Sequence, residues 1–332
     1  MLFRSISRAY GQRTVPGSRK DRSGKRWFSE PSNNELGVST TVNMTIILPT
    51  TPEVGFVCDE LEMAIKRFLD ARSSLPPLGR YESQVEAINL FYLALRDIEG
   101  VYTLARSDLI LIPPAMASAR AGFEAAVKAM WMVDADDPFE CEGRWLAHLK
   151  AEERFHSRIA ARYSEIAKDA RHARERVKSI ASFSQAVQEK LPPGITVLNG
   201  NPSVDKMLEA TGVDHQYAAY IYLSQFAHAE HAATWLYRAR GLGVEMLLGD
   251  FTKPSDWHVP LGVAWFALVH SGRVLLKRLG GDPDLFIRKD HEERIVKVIN
   301  NIGSNDSAQE SSQRDRPTSR SRRRGQGFGS RP

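Results

Sequence analysis

Arg120 and Glu124 stand four residues apart in a run that is otherwise mostly small or apolar, Pro113 to Val133. On a helix that spacing puts guanidinium and carboxylate on one face, where the first can hold an anion and the second can orient it. A second group, Arg144, His148, Glu152 and His156, repeats every four residues, and a third comprises Ser224, His228 and His231. Imidazoles and carboxylates carry protons near neutral pH and also bind divalent metals. Ser224 and His228, one helical turn apart, have the residue types of a nucleophile and its base.

Several specific chemistries fail on spacing. Glu153-x-x-His156 fits the Glu-x-x-His element of carboxylate-bridged di-iron bundles, and His228-x-x-His231 adds two more imidazoles. The second Glu-x-x-His is missing, because Gln225 stands three residues before His228. A metal-binding bundle therefore stays an alternative and no metal ligand is assigned. The chain has no P-loop, no GxGxxG after a strand, no GxSxG and no HExxH, so no cofactor is expected. Cys58 and Cys141 form no CxxC pair; Cys58, among apolar residues, reads as a core thiol.

The elements that must carry these groups are helices. Pro-Pro pairs at 76–77, 113–114 and 192–193 punctuate the chain, and the apolar spacing between them is helical. It predicts helices over 54–72, 82–106, 113–133, 138–190 with one break, 203–211, 214–241, 257–280 and 283–300. Gly241 and Gly280 stand at the expected C-caps. Thr45–Leu48 and Ile195–Leu198 look strand-like but are too short to found a sheet. The expected fold is all-α, an antiparallel multi-helix bundle. At about 100° per residue, Glu152 and His156 fall on the apolar stripe of their helix with Trp145, Leu149, Ile159, Tyr163 and Ile166, and His148 falls at its edge. Tyr217, Ile221, Ser224, His228, His231 and Trp235 share one stripe if 214–241 is continuous.

The basic pI of 9.2 belongs to the ends. Residues 1–50 carry 8 Lys/Arg against 3 Asp/Glu, residues 301–332 carry 7 against 3, and residues 51–300 carry 30 against 34. The middle, at net −4, is not marked as a nucleic-acid binder by its charge. The expected organisation is a disordered basic tail over 1–50, a helical bundle over 51–300 and a disordered Arg/Ser/Gly-rich tail over 301–332. Weak, sequence-blind nucleic-acid contact is assigned to the tails. No segment reaches the ~18 continuous apolar residues of a membrane span; the best run, Leu261–Val269, reads as a buried helix. The cysteine usage and the lack of a secretory core suggest the cytoplasm. The Arg/Ser-rich, acid-poor residues 1–30 would suit a mitochondrial presequence in a eukaryotic source, or a start called too early with Met44 the true one.

Arg120-x-x-x-Glu124 with its apolar helix, the helix start around Arg144, and Tyr220-x-x-Leu223-Ser224-x-x-x-His228 together resemble a bacterial all-helical family, the domain of unknown function 5677. The resemblance covers about residues 80–275 and implies Arg120, Glu124, Ser224 and His228 as the characteristic polar positions. It also implies a likeness to HEPN-like helical domains, which include defence and toxin ribonucleases. Their Arg-x4–6-His motif is absent: Arg144 and His148 enclose three residues.

The expectation is an interior pocket of Arg120, Glu124, Arg144, His148, Glu152, Ser224 and His228. It would take a small anionic or nucleotide-like ligand in a binding or defence-type module. In it Arg120 and Arg144 hold the anion, Glu124 and Glu152 orient the arginines, and His228 moves a proton if a reaction occurs. The alternatives are a metal-independent HEPN-like ribonuclease, in which Arg144, Ser224 and His228 would be catalytic, and a metal-binding bundle. Homodimerisation is open to either.

Overall fold

The computed structural model describes residues 48–78, 80–162, 167–240, 246–248 and 252–314. Helix α1 (Pro52–Ser73) is started by Thr51, whose side chain accepts from the Val54 N–H, and by a proline in the first turn. Helix α2 is Glu82–Ser107, α3 Ile112–Val133, α4 Pro138–Arg162, α5 Ala167–Gln188, α6 Val204–Ala210 and α7 Tyr217–Ala227. Helix α8 is His258–Arg278, α9 Pro283–Phe286 and α10 Lys289–Arg314. The fold is all-α, as the spacing predicts. Among the described residues the sheet structure is one antiparallel ribbon, β1 (Arg238–Arg240) with β2 (Met246–Leu248), in the register Ala239 to Leu247.

The core sits where α3 and α8 meet, with α1, α2 and α7 packed around them. Phe68, Phe91, Phe123, Met116, Met130, Trp257, Trp265 and Phe286 are all below 2 % exposed. Small residues let the helices approach. A Cβ on Gly272 would lie 2.8 Å from the Phe286 ring and 3.3 Å from those of Phe68 and Phe91, so α8 needs a glycine there. Cys58 is fully buried in this core, and burial pushes its thiol up to about 12, which makes it a packing residue.

By length and composition, Pro254–Arg278 does pass for a membrane span, contrary to the expectation from continuous runs. Polar residues such as His270, Ser271 and Arg273 interrupt it without lowering its mean hydropathy enough. In the fold, 78% of its most apolar window is buried inside the protein, as a core helix requires.

The expected bounds shift in four places. The helix expected over 214–241 ends at Ala227: Ala229 adopts φ +52 and the chain continues as a 3₁₀ turn, His231–Tyr237, and then β1. The final helix is split by an extended Ile287, and α10 then runs past residue 300 to Arg314. Ile195–Leu198 is a loop. The N-terminal boundary lies earlier than residue 50, since Leu48 N–H donates to Asp108 and the Thr50 hydroxyl to the Ala105 carbonyl. The expected tails over 1–47 and 315–332, most of the strand-like Thr45–Leu48, and Tyr163, Ile166 and Gly241 lie outside the described residues. Gly280 does cap α8: it sits at φ +82, and Gly281 N–H reaches back to the Leu276 carbonyl.

Candidate functional site

Three of the seven expected pocket residues meet. Helix α3 brings Arg120, Glu124 and Lys128 to one face because they are spaced by four, and α7 lies across that face. Arg120 Nε donates to Ser224 Oγ at 2.9 Å, and its Nη2 donates to the Tyr220 hydroxyl at 3.0 Å. The same Nη2 lies 3.4 Å from Glu124 Oε2, while Lys128 Nζ reaches Glu124 Oε1 at 2.7 Å. The guanidinium also lies over the Tyr220 ring, 5.0 Å from its centroid. Ser224 closes the loop by donating to the Tyr220 carbonyl at 2.7 Å.

Arg120 keeps 19% of its side chain exposed, and Glu124 and Lys128 keep 26% each. Burial works to raise the Glu124 carboxyl, but Lys128, Arg120 and the Tyr220 hydroxyl outweigh it and hold the group below the usual carboxylate range. Two cations share this one carboxylate. An aromatic ladder backs the cluster. His270 stacks on Phe266 at 5.0 Å, Phe266 meets Phe123 at 5.9 Å, Phe123 meets Tyr220 at 6.3 Å, and Tyr220 stacks on Tyr217 at 6.0 Å. Burial depresses the His270 pKa.

The other expected residues go elsewhere. Arg144 donates to the carbonyls of Trp131 and Asp134 and lies over the Trp131 ring, so it caps the end of α3. His148 pairs with Asn201 at 3.0 Å and faces Glu86 at 3.5 Å, and this hydrogen bond is the main cause of a lowered Glu86 pKa. Glu152 accepts from Arg176 of α5 at 2.9 Å and has His156 at 3.5 Å. The His228 side chain is exposed at the end of α7 and makes no hydrogen bond or ion pair among the described residues. The expected single pocket is thus divided among the Arg120 cluster, the Arg144 cap, the separate His148 and Glu152 groups, and the exposed His228. Helical spacing assigns a side chain to a face but not to the helix that will cover it.

Neither alternative chemistry is assembled. No three His, Cys, Asp or Glu residues gather into a metal-sized group among the described residues. Arg176 takes the place beside Glu152 and His156 that a further ligand would need. No imidazole touches Arg120 or Ser224 among the described residues; the proton-carrying groups beside Arg120 are the Glu124 carboxylate and the Tyr220 hydroxyl. An open concavity of about 310 Å3 lies between α1, α9 and α10, lined by Arg67, Phe286, Arg288 and His291 among others, and shares no residue with the cluster. Sequence reasoning missed Tyr220 as a contact, although it lies on α7 one turn before Ser224, and it left Lys128 without a role.

No curated protein and no solved structure matches the chain. The family of unknown function DUF5677 matches residues 86–240, which run from α2 through α3, α4, α5 and α7 to β1 and contain all five residues of the Arg120 cluster. Over that stretch the chain is similar to the DUF5677 family.

Proposed function

We propose that the protein is a binding module in which the α3–α7 cluster takes a small anionic, nucleotide-like ligand. One observation carries this reading. Arg120 and Lys128 share a single carboxylate, Glu124, at a site three-quarters withdrawn from water, so the contacts leave one positive charge unbalanced. A partly desolvated excess charge is costly, and a phosphate or carboxylate arriving there removes that cost. Tyr220 and Ser224 fix the guanidinium by two of its nitrogens, which presets its remaining edge. The stacked Tyr217 and Tyr220 rings offer an adjacent flat surface for a base. Glu124 is held ionised and engaged by two cations, an arrangement that holds charge in place, so binding is favoured over turnover.

The test is a thermal-shift titration with adenosine monophosphate, adenosine and inorganic phosphate. The nucleotide is expected to raise the melting temperature of the wild type in a dose-dependent way, with adenosine much weaker, and Arg120→Gln is expected to abolish the response. Failure of all three probes, or an equal response in Arg120→Gln, would show that the cluster only locks α7 to α3.

A further inference from the structure

We infer that the α4–α5 hairpin is a docking surface for the phosphate backbone of single-stranded nucleic acid. This does not rest on the reading of the Arg120 cluster. The net charge of the middle region hides a strong segregation. Residues 154–178 carry 8 Lys/Arg against 3 Asp/Glu, a net of +5 within a region whose total is −4, so the remainder stands at −9. These eight basic groups fall on one helical hairpin, and within residues 51–300 a polyanion is drawn there rather than to the acidic remainder.

The hairpin stands apart from the core. Helix α5 packs chiefly against α4, and Ala160, Ala170, Ala173 and Ile180, which seal the two helices together, are not part of the main core cluster. Its cations are deployed outward. Taking about 100° per residue, Arg154, Arg158 and Arg162 fall within an 80° arc of α4. On the same count Arg171, Arg174 and Lys178 fall within a 60° arc of α5, while Arg176 points the other way. Arg176 is the one that turns inward to Glu152. All six are exposed, and five of them point away from the fold, while Arg154 donates to the Asn199 carbonyl. Arg158, Arg162, Arg174 and Lys178 have no ion-pair partner among the described residues, and the Arg171–Glu175 pair is long, 3.6 Å, and exposed. Elsewhere in the molecule exposed arginines such as Arg96, Arg106 and Arg288 are paired. Unpaired cations in rows are what counterion release from a phosphate chain requires.

Two exposed rings point to a single strand. Phe155, 50% exposed, lies beside Arg154 and Arg158, and Phe183, 51% exposed, lies further down α5 against Trp145. Isolated aromatic faces among cations serve base stacking, and unpaired bases offer the faces that stack. A flat anionic bilayer fits less well, because it would bring the acidic remainder of the protein against a negative plane, whereas a flexible strand can follow the hairpin alone.

The test uses the full chain and a labelled oligouridylate of about twenty nucleotides, followed by fluorescence anisotropy between about 50 and 200 mM salt. The variant Arg158→Ala/Arg162→Ala/Arg174→Ala is expected to bind at least about tenfold more weakly at low salt. Its slope of log affinity against log salt should fall by about 2, at roughly 0.7 per lost phosphate contact. Its melting temperature should not move, which shows the hairpin intact. Phe155→Ala should weaken binding several-fold at an unchanged slope. Lys66→Ala/Arg96→Ala/Lys297→Ala, which removes exposed charge elsewhere, should leave both quantities alone. Wild-type affinity and slope in the hairpin variant would overturn the inference and place binding on the basic ends. An equal loss in the control would reduce it to net charge. Retention on phosphatidylserine vesicles that depends on the same arginines, without oligouridylate binding, would replace nucleic acid by membrane.

Discussion

The α3–α7 layer and the α4–α5 hairpin use charge in opposite ways. Between α3 and α7, Arg120, Glu124, Lys128, Tyr220 and Ser224 are linked in one chain of contacts, and the carboxylate is held ionised by its neighbours. On the hairpin, Arg158, Arg162 and Arg174 are exposed and have no ion-pair partner among the described residues. The first arrangement is coupled to the stability of the fold, since each group there has a partner that would be left stranded in a partly dry site. The second is nearly free of the fold and can change without consequence for it. Both lie within the stretch that matches the DUF5677 family.

The sharpest way to break the comparison is to remove packing from each region. Phe91→Ala, at a ring 4.5 Å from Phe68 and fully buried, is expected to cost about 3–5 kcal/mol in urea denaturation, whereas Phe155→Ala should stay within about 0.5 kcal/mol. A similar loss from both would mean that the hairpin is as much a part of the core as α2. Next comes charge. Arg120→Met should cost about 1–3 kcal/mol, because Ser224 and Tyr220 lose their donor and Glu124 loses a counter-charge, and the remaining solvent contact keeps the effect below that of a fully buried pair. Retained stability in Arg120→Met would cut the cluster loose from the fold.

The acid side offers a third, smaller contrast. Burial depresses the pKa of both His258 and His270 below the ordinary 6.5, so both are neutral in the fold at neutral pH. The unfolded chain takes up those protons first as pH falls through about 6.5, so stability is full above that value and declines below it. Melting temperature measured from neutral to mildly acidic pH should show this fall, and His258→Gln should flatten it. The smallest effect belongs to His228. His228→Ala should stay within about 0.5 kcal/mol by urea denaturation, in keeping with an exposed imidazole that has no partner among the described residues.

The helices were legible because proline, glycine and 3.6-residue spacing act locally. Thr51 with Pro52, the Pro113–Pro114 pair and Gly280 each mark an end that the structure keeps. The end of α7 was not legible, because it turns on Ala229 at φ +52, a conformation that alanine rarely adopts and that no residue type announces. That single turn removes His228, His231 and Trp235 from the stripe that Ser224 begins. The α4 stripe was read correctly as a face, yet its polar groups found Glu86, Asn201 and Arg176 rather than α3 and α7, since tertiary partners are not encoded in the period of one helix. Arg120, Glu124 and Ser224 were legible as a set because a charged pair on so apolar a helix needs a polar partner across the interface.

The corner at Asp108 decides how much of the chain can be trimmed from its front. Asp108 accepts from the N–H groups of Leu48 and Ile110, Leu109 N–H donates back to the Leu48 carbonyl, and the Thr50 hydroxyl clasps Ala105. A processing protease that cuts at or before residue 47, or translation that begins at Met44, leaves this clasp whole. A cut after Thr50 takes every bond made by Leu48 and Thr50 at once and leaves Asp108, 8% exposed, with Ile110 N–H but without its Leu48 donor at the junction of α2 and α3. The first residues that the fold cannot spare therefore lie ahead of its first helix.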